Sequence, residues 1–231
     1  MRENNEDALA VGDKILRDDA STTSVELSKK GFFYLLLADG MGGHENGEEA
    51  SAYTLQTLKE LFSQRLISAD TFEEDLSYAT RNISFSLNCA AVERGQKLPM
   101  GCTLTGLIWF YGHCWLINAG DSRTYRYSGG LLRQLTIDET ERGVTGNPDA
   151  EKYLLNCIGG GMEGRLTIIN MDGKLQTDDV ILICSDGLTD MLSDQQLEEA
   201  ITNGAKAADL YSMACIAGGI DNVSIIIAHI K

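Results

Sequence analysis

Short apolar runs bounded by polar and glycine-rich turns recur along the chain and predict β-strands. The segment 103–136 alternates such runs with turn signals at 111–113, 120–122 and 128–130, a pattern typical of an antiparallel meander. The other runs are "ALAVG" at 8–12, "GFFYLLLA" at 31–38, "RLTIINM" at 165–171, "DVILICSDG" at 179–187 and "NVSIIIAHI" at 222–230. We therefore expect a protein rich in antiparallel sheet.

Apolar residues at helical spacing predict four longer helices in two pairs. In the first helix, Asn46 and Glu49 have the spacing of a capping box, and the third helix opens with another such pair, Ser193 and Gln196. The helices after the first are expected at about 70–94, 193–202 and 205–217.

The order of these elements indicates the fold class. Strands and helical pairs follow one another in blocks, which argues against a doubly wound parallel sheet. We expect an α+β fold, a four-layer α-β-β-α sandwich in which two antiparallel sheets are flanked by helical pairs. Two prolines and the lack of a low-complexity tract indicate a single domain over 1–231. Residues 138–161, rich in Thr, Gly and Asn, are expected to form an irregular surface segment.

Acidic residues stand at the ends of five predicted strands. Those that follow an apolar run are Asp39, Asp121 and Asp186, and those that precede one are Glu6, Asp7 and Asp221. Because the end of one antiparallel strand adjoins the start of its neighbour, these acids are expected to meet at one rim. An Asp-Gly pair after a strand is also ordinary turn chemistry, so no single acid identifies a site. Together, uncompensated carboxylates would repel one another, and a divalent cation is the natural compensation.

The candidate ligands are all oxygen donors, which suit Mg²⁺ or Mn²⁺ rather than zinc. The carboxylates suffice for two ions, and such a pair can activate water and hold an in-line displacement at phosphorus. Other phosphate and metal motifs fail in the glycine-rich stretch 35–51. Glu48 stands where a P-loop needs lysine, Glu45 stands where a dinucleotide fingerprint needs its third glycine, and the ligand positions of a calcium loop are missing.

The composition limits which kinds of partner and which cellular compartment we expect for the protein. Nineteen Lys and Arg against 34 Asp and Glu give a net charge of -15 at pH 7, which disfavours nucleic acid or an anionic membrane as the main partner. Six widely spaced cysteines without a C-x-x-C pair are expected to be reduced core residues. No signal-peptide pattern and no apolar run of about 18 residues occur, so we expect a cytoplasmic protein that does not associate with membranes.

Six short motifs run through the chain in a recognisable order. They are "RENNEDA" (2–8), "ADGMGGH" (38–44), "GCTLT" (101–105), "NAGDSR" (118–123), "SDGLTD" (185–190) and "DNVS" (221–224). Each is weak alone, but the ordered set resembles metal-dependent protein phosphatases of type 2C, especially the bacterial branch. The resemblance implies one type 2C catalytic domain with a flap-like segment at about 138–161. It also implies hydrolysis of phosphoserine and phosphothreonine in proteins by a water activated by two Mn²⁺ or Mg²⁺ ions.

The resemblance implies a role for each matching residue. Asp39 would bridge the two metals, the Gly40 carbonyl would bind one of them, and Arg2 would bind the substrate phosphate. The other expected ligands are Glu6 and, through water, Asp7 at one ion, Asp186 and Asp221 at the other, and Asp121, with Asp190 as a weaker candidate, at a looser third metal. His44 and Asn222 are expected to support the ligands without binding metal.

Three features depart from the family pattern. Met41 stands where animal members carry a histidine proposed as general acid, so a metal-bound water would have to protonate the leaving oxygen. Only one residue precedes Arg2, where the family has a strand. Glu139 and Thr140 replace the histidine and serine usual at the start of the flap. Substrate selection is therefore the family property that can least be carried over to this chain.

The expected partner is a phosphorylated protein, a target of a Ser/Thr kinase of the same cell, and the chain is expected to act as a monomer. Two other functions remain alternatives at this point. A catalytically silent phosphoprotein-binding regulator of the same fold is disfavoured because the core acids are retained. A divalent-metal nuclease is disfavoured by the charge of -15 and the lack of a basic track.

Overall fold

The computed structural model describes residues 4–26, 31–42, 45–64, 67–68, 70–96 and 99–231, which form six helices and thirteen strands. The helices are α1 (Glu45–Ser63), α2 (Phe72–Glu93), α3 (Glu141–Thr145), α4 (Asp186–Thr189), α5 (Asp194–Thr202) and α6 (Ala207–Ala217). The strands are β1 (Ala8–Val11), β2 (Lys14–Leu16), β3 (Phe32–Ala38), β4 (Gly40–Met41), β5 (Gly101–Cys102), β6 (Leu104–Phe110), β7 (His113–Ala119), β8 (Arg123–Ser128), β9 (Leu131–Gln134), β10 (Ile158–Gly159), β11 (Thr167–Asn170), β12 (Val180–Cys184) and β13 (Ile225–His229). Across these described ranges, every helix is too short or too polar to span a lipid bilayer.

The strands form three sheets with antiparallel pairing throughout. The six-stranded sheet has the order β11-β7-β6-β3-β1-β2, the four-stranded sheet has the order β13-β12-β8-β9, and the three-stranded sheet has the order β10-β5-β4. The prediction of antiparallel sheet is confirmed, but two main sheets are accompanied by a small third one. Since β4 follows β3 and β5 precedes β6 by one residue, the small sheet continues the large one past Asp39 and Thr103.

The predicted meander is wrong at its centre. The hairpin of β6 and β7 belongs to the six-stranded sheet, whereas the hairpin of β8 and β9 belongs to the four-stranded sheet. The turn at 120–122 therefore carries the chain from one sheet to the other instead of closing a hairpin. Its Gly-Asp-Ser sequence suits either kind of turn, so local sequence does not distinguish them.

Alternate residues of β3 belong to two different apolar clusters. Tyr34 and Leu36 pack in a cluster with residues of α1 and α2. Leu35 and Leu37 belong to a second cluster that includes residues of β12 and β13. A third cluster joins β8 and β12 to α4, α5 and α6. Strand β3 is therefore buried on both faces, which explains its continuous apolar run.

The capping predictions have different outcomes. Ser193 caps α5 through a reciprocal capping box, as predicted. Helix α1, however, begins at Glu45, so Asn46 lies inside the helix rather than at its N-cap. The Asn46 Oδ1 atom instead accepts a hydrogen bond of 2.6 Å from Gln96 Nε2. This contact ties the first turn of α1 to the segment that follows α2.

The segment 138–161 is less irregular than expected. It contains α3 and β10, and Thr140 pairs with Leu154 in an isolated bridge. The Glu139 carboxylate accepts hydrogen bonds from the Gly120 N–H at 3.0 Å and from Asn156 Nδ2 at 2.6 Å. Glu139, a departure from the family pattern, thus attaches this segment to the turn that crosses between the sheets.

Candidate active site

A cleft of about 470 Å³ opens where acid-bearing ends of five strands meet. Its lining comprises Glu6, Asp39, Gly40, Met41, Gly42, Thr103, Asp121, Lys152, Leu154, Asp186 and Asp221. The structure therefore brings together five of the acids that the sequence placed at strand ends. The sixth, Asp7, is 1% exposed and is buried beside them.

The far end of the chain holds the segment 4–7 in place. The Asn222 side chain accepts a 3.0 Å hydrogen bond from the Glu6 N–H and donates one of 3.1 Å to the Asn4 carbonyl. The Ser185 hydroxyl donates to Asp7 Oδ2 at 2.9 Å. Asn222, predicted to support the ligands, thus contacts the backbone of the segment that carries two of them.

Asp39 is fixed to the segment that precedes β6. Its N–H donates to Thr103 Oγ1 at 3.0 Å, and the Thr103 N–H donates to the Asp39 carbonyl at 2.8 Å. The Thr103 hydroxyl also lies 2.7 Å from the hydroxyl of Ser122, next to Asp121. One threonine therefore sets the position of Asp39 relative to the crossing turn.

Two glycines allow β4, α1 and the segment 4–7 to meet closely. A Cβ atom on Gly40 would lie 2.1 Å from the Gly47 carbonyl oxygen and 2.5 Å from the Glu6 carbonyl oxygen. A Cβ atom on Gly47 would lie 2.2 Å from Glu6 Oε2. Because no side chain fits at either position, the glycines are required for packing. Close approach of the Gly40 carbonyl to an ion, the reason expected from the sequence, is a separate requirement for glycine at this position.

Burial and mutual repulsion raise the pKa of the clustered carboxyl groups. The pKa of Asp39 lies well above its usual value, first because of burial and then because of the neighbouring acids. Burial is also the main cause that raises the pKa of Asp7 to about 6 and that of Asp121 to about 7. The pKa of Asp186 is raised as well, again chiefly by burial. Lys152 is the one basic residue among the described residues of the lining.

The donor chemistry of the cleft fits hard divalent cations. Carboxylate groups dominate its described lining, where five acidic residues accompany one lysine. Within the described ranges, no group of three or more His, Cys, Asp or Glu side chains is set closely enough to hold an ion as it stands. A bound cation would relieve the repulsion between the carboxylates.

Asp190, the weaker candidate for a third metal, has a partner in the structure. Its carboxylate pairs with the ammonium group of Lys152, and both side chains are partly exposed. Asp190 is not among the described residues that line the cleft, whereas Lys152 and Leu154 are. The pair attaches the segment 138–161 to the C-terminal end of α4.

Two of the predicted site residues, Arg2 and His44, lie outside the described residues, and their roles stay predictions. Two residues that hold the acids in place, Ser185 and Ser51, were not among the predicted site residues. Ser185 lies within a quoted motif and carried some signal. Ser51, whose hydroxyl donates to the Glu6 carbonyl at 2.6 Å, carried none.

Comparison with known proteins identifies the family to which this chain belongs. The family model described as protein phosphatase 2C matches residues 10–215. The chain belongs to the protein phosphatase 2C family. Among protein phosphatases 2C, the serine/threonine phosphatase stp of Listeria monocytogenes is 30% identical over 212 residues, covering 84% of this chain and 83% of that protein. The serine/threonine protein phosphatase PstP of Mycobacterium tuberculosis is 30% identical over 246 residues, covering 100% of this chain and 43% of that protein.

Solved structures of other protein phosphatases 2C share the fold. The M. tuberculosis phosphatase PstP/Ppp matches with a TM-score of 0.77 and 27% identity, covering 100% of this chain and 94% of that chain. A catalytic domain of PstP in complex with two manganese ions matches with a TM-score of 0.76 and 28% identity, with the same coverage of 100% and 94%. The resemblance inferred from the six motifs is confirmed, and so is a mixed α/β fold with antiparallel sheets.

Proposed function

We propose that this protein phosphatase 2C hydrolyses phosphoserine and phosphothreonine in proteins with the help of divalent cations. The observation that carries the proposal is the convergence of Glu6, Asp39, Asp186 and Asp221 on one cleft. Relatives named serine/threonine phosphatases support it, and so does the related domain that binds two manganese ions.

The proposal assigns the cations to the residues expected from the motifs. Of two Mn²⁺ or Mg²⁺ ions, one would be held by Glu6 and, through water, by Asp7, and the other by Asp186 and Asp221. Asp39 would serve both ions, and the Gly40 carbonyl would bind one of them. Asp121, with Asp190 as a weaker candidate, would hold a third. When bound, such ions neutralise phosphate charge and lower the pKa of water to near neutrality.

The chain's own residues contribute position and charge. Reciprocal hydrogen bonds with Thr103 hold Asp39, and a hydrogen bond donated by Ser185 holds Asp7. These contacts matter because a displacement of about 1 Å can reduce a rate about 100-fold. Arg2 would bind the phosphate through its guanidinium fork. Met41 cannot donate a proton, so the leaving oxygen would take its proton from water in the cleft.

Phosphate release from a phosphothreonine peptide tests the proposal. We expect turnover with Mn²⁺, none after chelation, and a loss of more than about 100-fold in Asp39→Asn, because loss of a ligand should exceed the 10–100-fold effect typical of its supporting residues. Asp13→Asn is the matched control, since Asp13 is exposed in the turn between β1 and β2. Activity that resists the chelator, or full activity in Asp39→Asn, contradicts the mechanism. A protein that binds Mn²⁺ without turnover would be the silent regulator instead.

The four-layer arrangement belongs to the same proposal. The alternation of β3 between a cluster with α1 and α2 and a cluster with the four-stranded sheet supports it. The cluster between that sheet and α4 to α6 supports the outer helical layer. An experimental structure would test the order of layers directly.

We also propose that the chain forms a single domain and acts as a monomer. Its proposed location is the cytoplasm, and its proposed substrates are targets of a Ser/Thr kinase. All six cysteines are free, which supports a reducing compartment, although Cys89 and Cys215 are partly exposed rather than core residues as expected. Light scattering of the purified protein tests the monomer, and fractionation of cells tests the location. Phosphoproteomics of cells with and without Asp39→Asn tests the substrates.

A further inference from the structure

Arg17 connects three parts of the molecule behind the cleft. Its side chain is 18% exposed and follows β2. Nη1 donates to the Asn5 carbonyl at 2.5 Å, and Nη2 donates to the Glu48 carbonyl and to Ser51 Oγ, each at 3.0 Å. The Ser51 hydroxyl in turn donates to the Glu6 carbonyl at 2.6 Å. One guanidinium group thus joins the acid-bearing segment 4–7 to the first turns of α1.

Together with Asn222, these residues hold the backbone of the segment 4–7 in place through hydrogen bonds. Asn222 holds it from one side, at the carbonyl of residue 4 and the N–H of Glu6. Arg17 and Ser51 hold it from the other side, at the carbonyls of residues 5 and 6. The backbone that presents Glu6 to the cleft is therefore held by hydrogen bonds at four polar groups of residues 4–6.

We propose that Arg17 is a positioning residue that sets the affinity of the protein for divalent cations. The inference rests on the proposed function, because it assumes that Glu6 and Asp7 serve the cation site. A guanidinium fork can donate to several acceptors in a fixed geometry, which the single ammonium of lysine cannot reproduce. Residues that orient metal ligands typically change metal affinity 10–100-fold when they are replaced.

A positioning role and a purely electrostatic role of Arg17 predict opposite changes in cation affinity when its charge is removed. A positive charge close to a cation site weakens cation binding, so removing it would strengthen binding if charge were its main effect. If Arg17 acts by holding the segment 4–7, removing it weakens binding. The sign of the change in Arg17→Gln therefore separates the two roles.

Calorimetric titration of the chelator-stripped protein with Mn²⁺ provides the test. We expect Arg17→Lys and Ser51→Ala to bind Mn²⁺ about 10-fold more weakly than the wild type, and Arg17→Gln to bind at least as weakly as Arg17→Lys. Arg165→Gln is the matched control, because it also removes one positive charge, but from a side chain that is 77% exposed and pairs with Glu163. Its affinity should be unchanged. Binding by Arg17→Lys within twofold of wild type, or tighter binding by Arg17→Gln, would overturn the proposal.

Kinetics distinguish positioning from a general loss of stability. In Arg17→Lys we expect the Mn²⁺ concentration for half-maximal activity to rise about 10-fold while kcat at saturating Mn²⁺ stays within twofold of wild type. A lower melting temperature in chelator with unchanged Mn²⁺ affinity would mean a purely structural role and would overturn the proposal. If Arg17→Gln does not fold, Ser51→Ala and Arg17→Lys still decide it. A wild type that binds Mn²⁺ but releases no phosphate contradicts the proposed function alone, since the calorimetric test of Arg17 is unaffected.

Discussion

The substitution Gly40→Ala tests how tightly β4, α1 and the segment 4–7 are packed. The added Cβ would lie 2.1 Å from the Gly47 carbonyl oxygen and 2.5 Å from that of Glu6, far inside the roughly 3.5 Å of ordinary contact. Both oxygens belong to the backbone, so neither can rotate away. Overpacking costs about 1–3 kcal/mol, and the upper end applies here. We expect a loss of about 3 kcal/mol, or about 6–12 °C in Tm for a domain of this size.

Gly129→Ala provides the matched control. Gly129 has φ of +58°, and a Cβ atom added there would meet no atom within 4 Å beyond its chain neighbours, so its replacement brings backbone strain without a clash. That strain costs about 1 kcal/mol, or about 2–4 °C. Thermal and urea unfolding should be followed by circular dichroism in chelator, so that cation binding does not contribute to the stability. A loss in Gly40→Ala no larger than that in Gly129→Ala would refute the packing argument.

Three further changes have distinct expected results. Gly47→Ala should displace the Glu6 carboxylate, which would lie 2.2 Å from the new Cβ, and weaken Mn²⁺ binding about 10-fold; unchanged affinity by calorimetry contradicts this. Burial opposes ionisation of Asp179, but hydrogen bonds led by Arg126 outweigh it and lower the pKa of Asp179, so its charged form stabilises the fold. Asp179→Asn should therefore lose about 2 kcal/mol of stability at pH 7. The difference should begin to shrink below about pH 4, where the carboxyl group is protonated in the unfolded wild type, and the contribution of the charge is lost as the pH falls through the lower pKa of the folded state; an equal loss in urea melts at pH 3 contradicts it. Lys152→Gln removes the positive charge that pairs with Asp190, a candidate ligand of a third metal. We expect the Mn²⁺ site of lowest affinity to bind more tightly, as measured by equilibrium dialysis. An unchanged affinity means that the ion pair does not compete with a metal.

The positions of the acids could be predicted because the ends of apolar runs in the sequence mark the ends of strands. The apolar run at 31–38 places Asp39 directly after a strand, and the run that ends at Cys184 does the same for Asp186. In an antiparallel fold such ends share edges, so convergence follows from the apolar pattern and from sheet geometry.

The supports of those acids could not be predicted in the same way. Arg17 and Ser51 are polar residues without a periodic signal, and their contacts depend on how β2 meets α1. The turn at 120–122 shows the same limit, because its residues suit a hairpin and a crossing equally. Asn46 had capping chemistry, but the helix begins one residue earlier and Asn46 bonds to Gln96 instead.

The hydrogen bonds of Asn222 to Asn4 and Glu6 join residues 218 and 216 positions apart in the chain. Contacts of such separation close a loop of more than 200 residues, so we expect them to form late in the folding of this domain. During synthesis, β3 can pair with β6 long before Asn222 has been added to the growing chain. A nascent chain therefore carries most of the large sheet without a complete acid cluster. Cation binding, and with it dephosphorylation, should begin only after Asn222 has been synthesised and has joined the fold.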